Sequence, residues 1–283
     1  MLKEIDDVND TFGLFRMLKF LPSYRVKLLI LRSLIDRILI QETNNNSNAV
    51  DPARRRRALS IILGQLPSTE KGIRQLATEA DRRSRNENSY EEMLSRTPEK
   101  LETPKFDIVH QLSKTSHVRK YDKFSVCSLI MDPNINQNGG AFNFLAGYIF
   151  GKNKNSNGIS EKMAMTTPVL NVQSSGKQKM SFVLPSKYWD DTSNAPAPID
   201  DVVKLEQKYM GDETFAAIWY GGYSTSALVD MKTKELIEAI ERDPEWKLKD
   251  NNTDRESFVL QYNDPFQPAW KRRNEILLKV ERI

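Results

Sequence analysis

The stretch QYNDPFQPAWKRRNEILLKVERI, residues 261–283, brings three features together at one place in the sequence. Two prolines fix φ and stiffen the backbone. Two large aromatic side chains supply flat apolar area, and three consecutive cations offer donors suited to carboxylates. These residues are Pro265, Pro268, Phe266, Trp270, Lys271, Arg272 and Arg273. The alternating apolar residues that follow, from Asn274 to Val280, predict a strand.

A stiff loop with aromatic and cationic side chains suits a planar amphiphile with acidic edges. A tetrapyrrole, which has an apolar macrocycle and propionate groups, is one such molecule. The alternative is that Arg272 and Arg273 are solvated charges at the start of a strand, where exposed ion pairs contribute little to stability. The residues of the loop alone leave both interpretations open.

Length and composition are those of an ordinary soluble globular protein. The chain has 283 residues, enough for one large domain or two modest ones, with 39% hydrophobic and 28% charged residues. The net charge of +4 is too small to indicate a nucleic-acid partner, which would require a concentrated basic face. Cys127 is the single cysteine, so no internal disulfide is expected, and its apolar, strand-like surroundings predict a buried, inert thiol.

The pattern of residues 1–104 predicts a helical region followed by a linker. Residues 23–41 are amphipathic but too charged to span a bilayer, so we expect a helix that packs on its own protein or one that lies at a lipid surface. The four arginines at 54–57 spread around a second predicted helix and are interpreted as solvated charges. Pro98 and Pro104 mark an extended linker. The acidic opening, MLKEIDDVND, predicts neither a secretory signal nor an organelle transit peptide.

From residue 105 to residue 283 the pattern changes from a helical to a strand period. Short strand-like segments precede an aromatic helix bounded by glycines at 139–151, and further strands precede an amphipathic helix at 224–244. The order strands, helix, strands therefore occurs twice. We expect an α+β domain with mostly antiparallel sheets.

The sequence gives little support for an enzyme or a metal site. No zinc-protease, nucleophile-elbow, CxxC or phosphate-loop motif is present. His110 and His117 are the two histidines, and their places in strand-like segments are more typical of sheet residues than of catalytic bases. Two distant histidines and one buried thiol are too few ligands for a metal ion. We therefore predict no catalytic residues and no metal.

Two apolar stretches are candidates for lining a groove. Along the helix at 139–151, four residues recur at i, i+3, i+4 and i+7, so they share one side, most of which must cover the sheet. Met163 and Met165 in EKMAMTTPV are two apart, so they point to the same face of an extended chain, beside a lysine-rich loop. The helix residues are Phe142, Leu145, Ala146 and Ile149.

Six motifs follow one another in the order and spacing of a known family. They are FGKN, EKMAMTTPV, KMSFVLPSKY, APAP, IWYGGYS and QYNDPFQPAWKRRNEI, within residues 150–276. On these motifs the chain resembles the SOUL haem-binding protein family from about Phe106 to the C-terminus. The resemblance implies two four-stranded antiparallel sheets with two long helices, related by a pseudo-twofold axis as a distorted barrel. It also implies non-covalent binding of haem or a related tetrapyrrole by a carrier or buffer, not by a catalyst.

The resemblance further implies a ligand groove between the first domain helix and the final loop, with cations near the propionates. Gln267 stands where animal members of the family have a lysine, and the helix at 142–150 contains no cation, so propionate pairing would shift to nearby lysines or an arginine. No axial histidine carries over, which favours binding by hydrophobic contact. The candidate tetrapyrrole-binding residues are Phe142, Leu145, Ala146, Ile149, Lys152, Lys162, Met163, Met165, Phe266, Trp270, Lys271 and Arg272.

The motif FGKN before EKMAMTTPV and the segment RTPEKLETPKFDI are most similar to plant and algal plastid members of the family. This similarity implies a chloroplast location, with a cytoplasmic location as the alternative, and a division into an extension at 1–104 and a SOUL domain at 105–283. An alternative function is a lipid-surface module, in which the N-terminal helices contact a thylakoid or plastoglobule surface and the SOUL domain is a scaffold. A small-molecule hydrolase on the related GyrI-like fold would need a polar catalytic dyad, which the sequence does not show.

Overall fold

The structure, a computed structural model, describes residues 89–131, 140–174, 176–249, 255–264 and 267–283. The helices predicted within residues 1–88 lie outside this part of the chain, and so does Phe266. Among the residues that are described, no helix has the length and apolar character needed to cross a membrane.

Twelve strands lie in the described chain after residue 105, and two longer helices interrupt them. The bounds in chain order are α1 Tyr90–Leu94, β1 Phe106–Gln111, β2 Ser116–Tyr121, β3 Phe124–Met131, α2 Gly140–Ile149, β4 Asn153–Lys154, β5 Val169–Ser174, β6 Lys177–Val183, β7 Ala197–Pro198, β8 Lys204–Tyr209, β9 Thr214–Tyr220, α3 Ser226–Glu241, β10 Trp246–Leu248, β11 Ser257–Gln261 and β12 Asn274–Arg282. The α+β class and the two longer helices predicted from the sequence are confirmed. The short strands β4, β7 and β10 have no counterpart in the predicted pattern.

Ten strands of the described chain join in one antiparallel sheet. Their order is β1-β2-β9-β12-β11-β5-β6-β3-β8, and β10 pairs with β12. Outward from the central β11–β5 pair, β12, β9 and β2 follow on one side and β6, β3 and β8 on the other. On one side, β11 and β12 follow α3, β9 precedes α3, and β2 comes from the first half of the domain. On the other side, β5 and β6 follow α2, β3 precedes α2, and β8 comes from the second half. This is the order expected for a twofold duplication; the duplication itself and its division into two four-stranded sheets stay predictions.

The sheet curls so that its inner face surrounds one apolar cluster, and each long helix covers another cluster on the outer face. Alternation along each strand sets the two faces: on β3, Val126 points into the interior and Cys127 lies under α2. Tyr121 of β2 and Phe124 of β3 lie far apart in the strand order, yet their ring centroids are 5.8 Å apart in the interior. The two ends of the sheet therefore approach each other.

Helix α3 begins and ends where the sequence predicts. Thr225 is the N-cap, and its Oγ1 accepts a hydrogen bond from the Leu228 amide at 3.3 Å. Leu236 and Ile240 are buried against β9 and β12, which gives the helix its apolar side. Pro244 follows shortly after the last helical residue, in keeping with its expected role as a stop.

The segment from Ser89 to Pro104 packs on the sheet. Ser89 Oγ caps α1 by accepting a hydrogen bond from the Glu92 amide at 3.3 Å. Further on, Glu102 forms an isolated parallel bridge with Thr166. The residues predicted as an extended linker contain turns and are attached to the domain, and the proposed boundary between residues 104 and 105 stays a prediction.

Candidate functional site

The C-terminal end of α2 and the loop that follows it are held together by a buried asparagine. The Asn153 side-chain amide donates to the Tyr148 carbonyl at 2.6 Å and to the Glu161 carbonyl at 2.8 Å, while its Oδ1 accepts from the Glu161 amide at 2.9 Å. The Met163 amide donates to the Ile149 carbonyl at 2.8 Å. These bonds fix the methionine segment beside α2. Sequence reasoning missed Asn153, whose one signal is its place in the motif FGKN.

The apolar side of α2 faces the sheet, as its spacing predicts. Leu145, Ile149 and Met163 are buried in the cluster under α2. Phe142, in contrast, is 42% exposed, and its ring centroid lies 5.1 Å from that of Phe182 on β6. The apolar side of α2 therefore covers the core of the domain, and the edge of this apolar side at Phe142 is open to solvent.

Five of the candidate residues on α2 or in the segments next to it keep some exposure to solvent. Ala146 is one turn beyond Phe142 on the same side of α2 and is half-buried. Met165 is also half-buried and packs against the same cluster as Met163, so the two methionines share a face as expected. We name this region the α2 rim, which consists of Phe142, Ala146, Lys152, Lys162 and Met165.

The two lysines of the α2 rim stand at the C-terminal end of the helix. The Lys152 side chain runs beside Gly147 of α2, and the Lys162 side chain runs beside Gly151. Both are exposed, and neither forms an ion pair with a described residue. Gly151 has a φ of 117°, a conformation that favours glycine, and it turns the chain from the helix into the lysine-bearing loop.

The closing loop is divided between two places. Its start lies beside the methionine segment, because Thr167 Oγ1 donates to the Tyr262 carbonyl at 2.7 Å. Its end packs on the connection between β9 and α3, where the Gly222 amide donates to the Ala269 carbonyl at 3.2 Å. Trp270 is 1% exposed and is not part of the cluster under α2. The structure therefore does not bring Trp270 to the α2 rim, and the exposed flat surface expected from this side chain is not found.

The interpretation of the loop arginines as solvated charges is wrong. Arg272 and Arg273 are 5% and 2% exposed. The Arg272 guanidinium lies 4.6 Å from the Tyr223 ring centroid and donates to the Asp264 carbonyl at 3.3 Å. Arg272 is therefore already engaged inside the domain, whereas Lys271 is half-buried.

A buried ion network, which the sequence analysis did not identify, lies inside the sheet beneath α1. The Glu275 carboxylate accepts hydrogen bonds from Arg119, from Arg273 at 2.7 Å and from the Tyr262 hydroxyl at 2.9 Å. Burial alone would raise the pKa of Glu275, but the two guanidinium groups hold that pKa well below its usual range. The motif RRNE contains Arg273 and Glu275, yet nothing within the motif distinguishes a buried ion pair from a solvated one.

The remaining titratable candidates fit structural roles. Cys127 is buried, and burial raises the pKa of its thiol to about 12, so the predicted burial of this thiol is confirmed. His110 lies on β1 with its Nε2 2.7 Å from Asp243 Oδ2, and His117 lies on β2. Within the described residues, no group of three or more His, Cys, Asp or Glu side chains could hold a metal ion.

Together these features define an α+β domain with a curved antiparallel sheet, a long helix on each half, and an apolar edge flanked by cations. The SOUL heme-binding protein family matches residues 101–279, which is more than half of the chain. The chain belongs to the SOUL heme-binding protein family. Membership of this family of binding proteins indicates haem or a related tetrapyrrole as the class of ligand.

A search of the curated proteins found no match. Among the solved structures that match is the crystal structure of a hydrolase from Listeria innocua. It shares 10% sequence identity with this chain at a TM-score of 0.32, over 64% of this chain and 93% of that chain. A likeness at this level carries no argument about activity.

The residue types of the α2 rim are compatible with a tetrapyrrole ligand. A bound tetrapyrrole would supply a flat apolar macrocycle and two carboxylates, which match the apolar side chains and the two lysines of the rim. Of the side chains that ligate haem iron, the described rim residues offer Met165. Cys127 is buried with its thiol protonated, and His110 and His117 lie on other strands.

Proposed function

We propose that the domain binds haem or a related tetrapyrrole reversibly at the α2 rim and acts as a carrier or buffer. The observation that carries this proposal is a half-open apolar edge beside two lysines without ion partners among the described residues, in a chain of a heme-binding family. The macrocycle would lie against Phe142, Ala146 and Met165. Lys152 and Lys162 would face its propionates.

The expected strength of such binding suits a ligand that must be released. Contact over roughly 300 Å² of apolar surface contributes about 7 kcal/mol before association costs. A micromolar dissociation constant corresponds to about 8 kcal/mol. The lysine–propionate pairs are therefore needed in addition to apolar contact, and substitution of either component is expected to weaken binding measurably.

The closing loop exposes fewer of its candidate ligand-binding residues than the sequence predicts. Lys271 is half-buried and is the loop cation closest to solvent among the described candidates. Trp270 and Arg272 are buried, so their contact with a ligand would require the loop to move. Phe266 lies outside the described residues. Its contribution and those of Trp270, Lys271 and Arg272 stay predictions.

Haemin titration of the full chain tests the proposal. We expect a saturable Soret change, and we expect Phe142→Ala and Lys152→Glu each to raise the dissociation constant by about tenfold, which corresponds to the loss of about 1.4 kcal/mol. The matched controls are Met231→Ala and Lys234→Glu, which alter an exposed methionine and an exposed lysine on α3. Unsaturable broadening with wild type, or equal effects of the rim and control substitutions, would overturn the proposal.

The family resemblance supports two further proposals, a plant or algal plastid type and a chloroplast location. The alternative function is a lipid-surface module, in which residues 1–104 contact the lipid and the SOUL domain is a scaffold. Flotation with galactolipid liposomes, comparing the full chain with a chain that lacks residues 1–88, tests the lipid contact. Equal flotation of the two proteins would contradict a role for the N-terminal region.

A further inference from the structure

Tyr90 of α1 fills an aromatic slot inside the sheet. Its ring centroid lies 4.8 Å from that of Trp219 and 4.9 Å from that of His117, and the latter two centroids are 5.5 Å apart. His117 belongs to β2 and Trp219 to β9, two paired strands, whereas Tyr90 precedes the first strand of the domain. The sheet therefore supplies the His117 and Trp219 rings that line the slot, and the Tyr90 ring that fills it comes from a separate segment.

The hydroxyl end of Tyr90 is directed toward a buried cation. Burial and the charge of Glu275 raise the pKa of Tyr90 to about 12, while the positive charge of Arg119 opposes that rise. Arg119 is fully buried, and its Cζ lies 4.2 Å from the ring centroid of Phe106. Tyr90 therefore places an aromatic ring against two aromatic side chains of the sheet and an oxygen atom near a guanidinium group.

Several polar atoms around the slot make no hydrogen bond within the described residues. They are both ring nitrogens of His117, Nε and Nη1 of Arg119, Nε1 of Trp219 and the hydroxyl groups of Tyr121 and Tyr90. His117, Arg119, Tyr121 and Trp219 are more than nine-tenths buried, and Tyr90 is half-buried. Buried polar atoms normally have a hydrogen-bond partner, and donors outnumber acceptors in this set. Such a set suits a ligand group that accepts several hydrogen bonds.

The charged groups beside the slot add to this preference. Arg119 and Arg273 are cations and Glu275 is an anion, so these three buried groups sum to one positive charge. Burial and the charge of Arg119 lower the pKa of His117 to about 3, which keeps its ring neutral at pH 7. A buried cation that lacks full compensation favours a ligand with one negative charge.

The segment that carries Tyr90 is held by side-chain hydrogen bonds to the closing loop. We name residues 89–97 the strap. The Asn263 side-chain amide donates to the Arg96 carbonyl at 2.6 Å, and Arg273 Nη1 donates to Thr97 Oγ1 at 2.6 Å. The helix within the strap has five residues, which is too short for stability without its packing. Local opening of the strap would therefore expose the slot while the strands stay paired.

We propose that this slot is a binding site for a planar aromatic monocarboxylate and that Tyr90 occupies it until the strap opens. The ring of the ligand packs against His117 and Trp219, in the place of the phenol ring. Its carboxylate accepts hydrogen bonds from Nε and Nη1 of Arg119. The slot is separate from the α2 rim, which is on the outer face of the sheet, so the inference does not depend on tetrapyrrole binding.

Calorimetric titration of the full chain with benzoate and with its neutral analogue benzamide tests the site. Tyr90→Ala empties the slot, and Tyr188→Ala is the matched control because it removes a tyrosine from the cluster under α2, on the outer face of the sheet. We expect Tyr90→Ala to bind benzoate at least about tenfold more tightly than wild type and than Tyr188→Ala, because the competing ring is gone. The same variant should prefer benzoate over benzamide by about tenfold, because only the acid compensates the buried charge.

Thr97→Val gives a second test that leaves Tyr90 and the slot unchanged. It removes the hydroxyl that accepts from Arg273, so it loosens the strap and should also strengthen benzoate binding relative to wild type. The proposal is overturned if neither variant binds benzoate more tightly than wild type, or if Tyr90→Ala binds benzamide as well as benzoate. Haemin affinity should be the same in both variants as in wild type, so this proposal and the tetrapyrrole proposal can fail independently.

Discussion

At the scale of single residues, the interior beneath α1 controls how the protein responds to acid. Arg119 and Arg273 keep Glu275 ionised, whereas His117 nearby stays neutral. Removal of one partner from a buried ion network leaves an uncompensated charge and typically costs about 3–5 kcal/mol. Protonation of His117 would add a cation where the buried charges already sum to a positive value, so the folded state resists it.

We expect acidification below pH 6.5 to destabilise the protein because of His117. The pKa of this ring is about 3 in the folded state and takes its ordinary value of 6.5 in the unfolded chain, so the unfolded state binds more protons between these two values. The full contribution to stability is therefore present above pH 6.5, and it decreases by up to about 1.4 kcal/mol per pH unit on acidification. Urea unfolding at several pH values between about 7 and 5 measures this slope.

Two histidine variants assign the slope to a residue. His117→Phe keeps an aromatic ring in contact with Tyr90 and Trp219 and should remove the pH dependence of stability in this range. His110→Gln alters the other histidine of the chain, which pairs with Asp243, and should retain it. A His117→Phe protein that loses stability as steeply as wild type would show that another group is responsible.

At the scale of elements, the sequence predicts those parts of the fold whose signal is local. Strand β11 and helix α3 follow from alternation and capping residues within their own segments. Strands β4 and β7 have two residues each, which is too short for a periodic pattern. The burial of Arg273 depends on Thr97, which is 176 positions away in the chain, so no local pattern could predict it.

The start of α3 gives a prediction at this scale. Thr225→Ala should lower the free energy of unfolding by about 1 kcal/mol, because the Leu228 amide loses its acceptor. Thr225→Ser should retain most of the stability, since serine caps equally well. Thr233→Ala is the control within the helix, where alanine has the higher helix propensity and no cap is lost. Equal losses for Thr225→Ser and Thr225→Ala in chemical denaturation would contradict the capping role.

At the scale of the whole molecule, the curved sheet separates two candidate binding regions. The α2 rim is on the outer face, and its residues come from two neighbouring stretches, so the helical stripe and the methionine pair could be predicted from the sequence. The slot beneath α1 combines His117, Trp219 and Arg119 with a ring from the strap. Because these residues come from distant parts of the chain, only the folded sheet reveals the slot.

Cys127 provides a probe of how the whole molecule opens. It is the single cysteine of the sequence, is fully buried on β3 under α2, and has a thiol whose pKa burial raises to about 12. A disulfide reagent can therefore reach it only when α2 leaves the sheet or when the domain unfolds. Both events disrupt the α2 rim. A ligand on that rim must dissociate before the thiol becomes reactive.

We therefore expect a tetrapyrrole to protect Cys127 from labelling. At a concentration of about 100 times the dissociation constant, mass action should slow labelling of the native protein by about 100-fold. Metal-free protoporphyrin is the suitable ligand, since haem iron can bind a thiolate directly. Phe142→Ala should show about tenfold less protection at the same concentration, because it binds the ligand more weakly. Met231→Ala should be protected like wild type. Unchanged labelling of wild type at saturating protoporphyrin would mean that the ligand does not require the native arrangement of α2 on the sheet, which contradicts binding at the α2 rim.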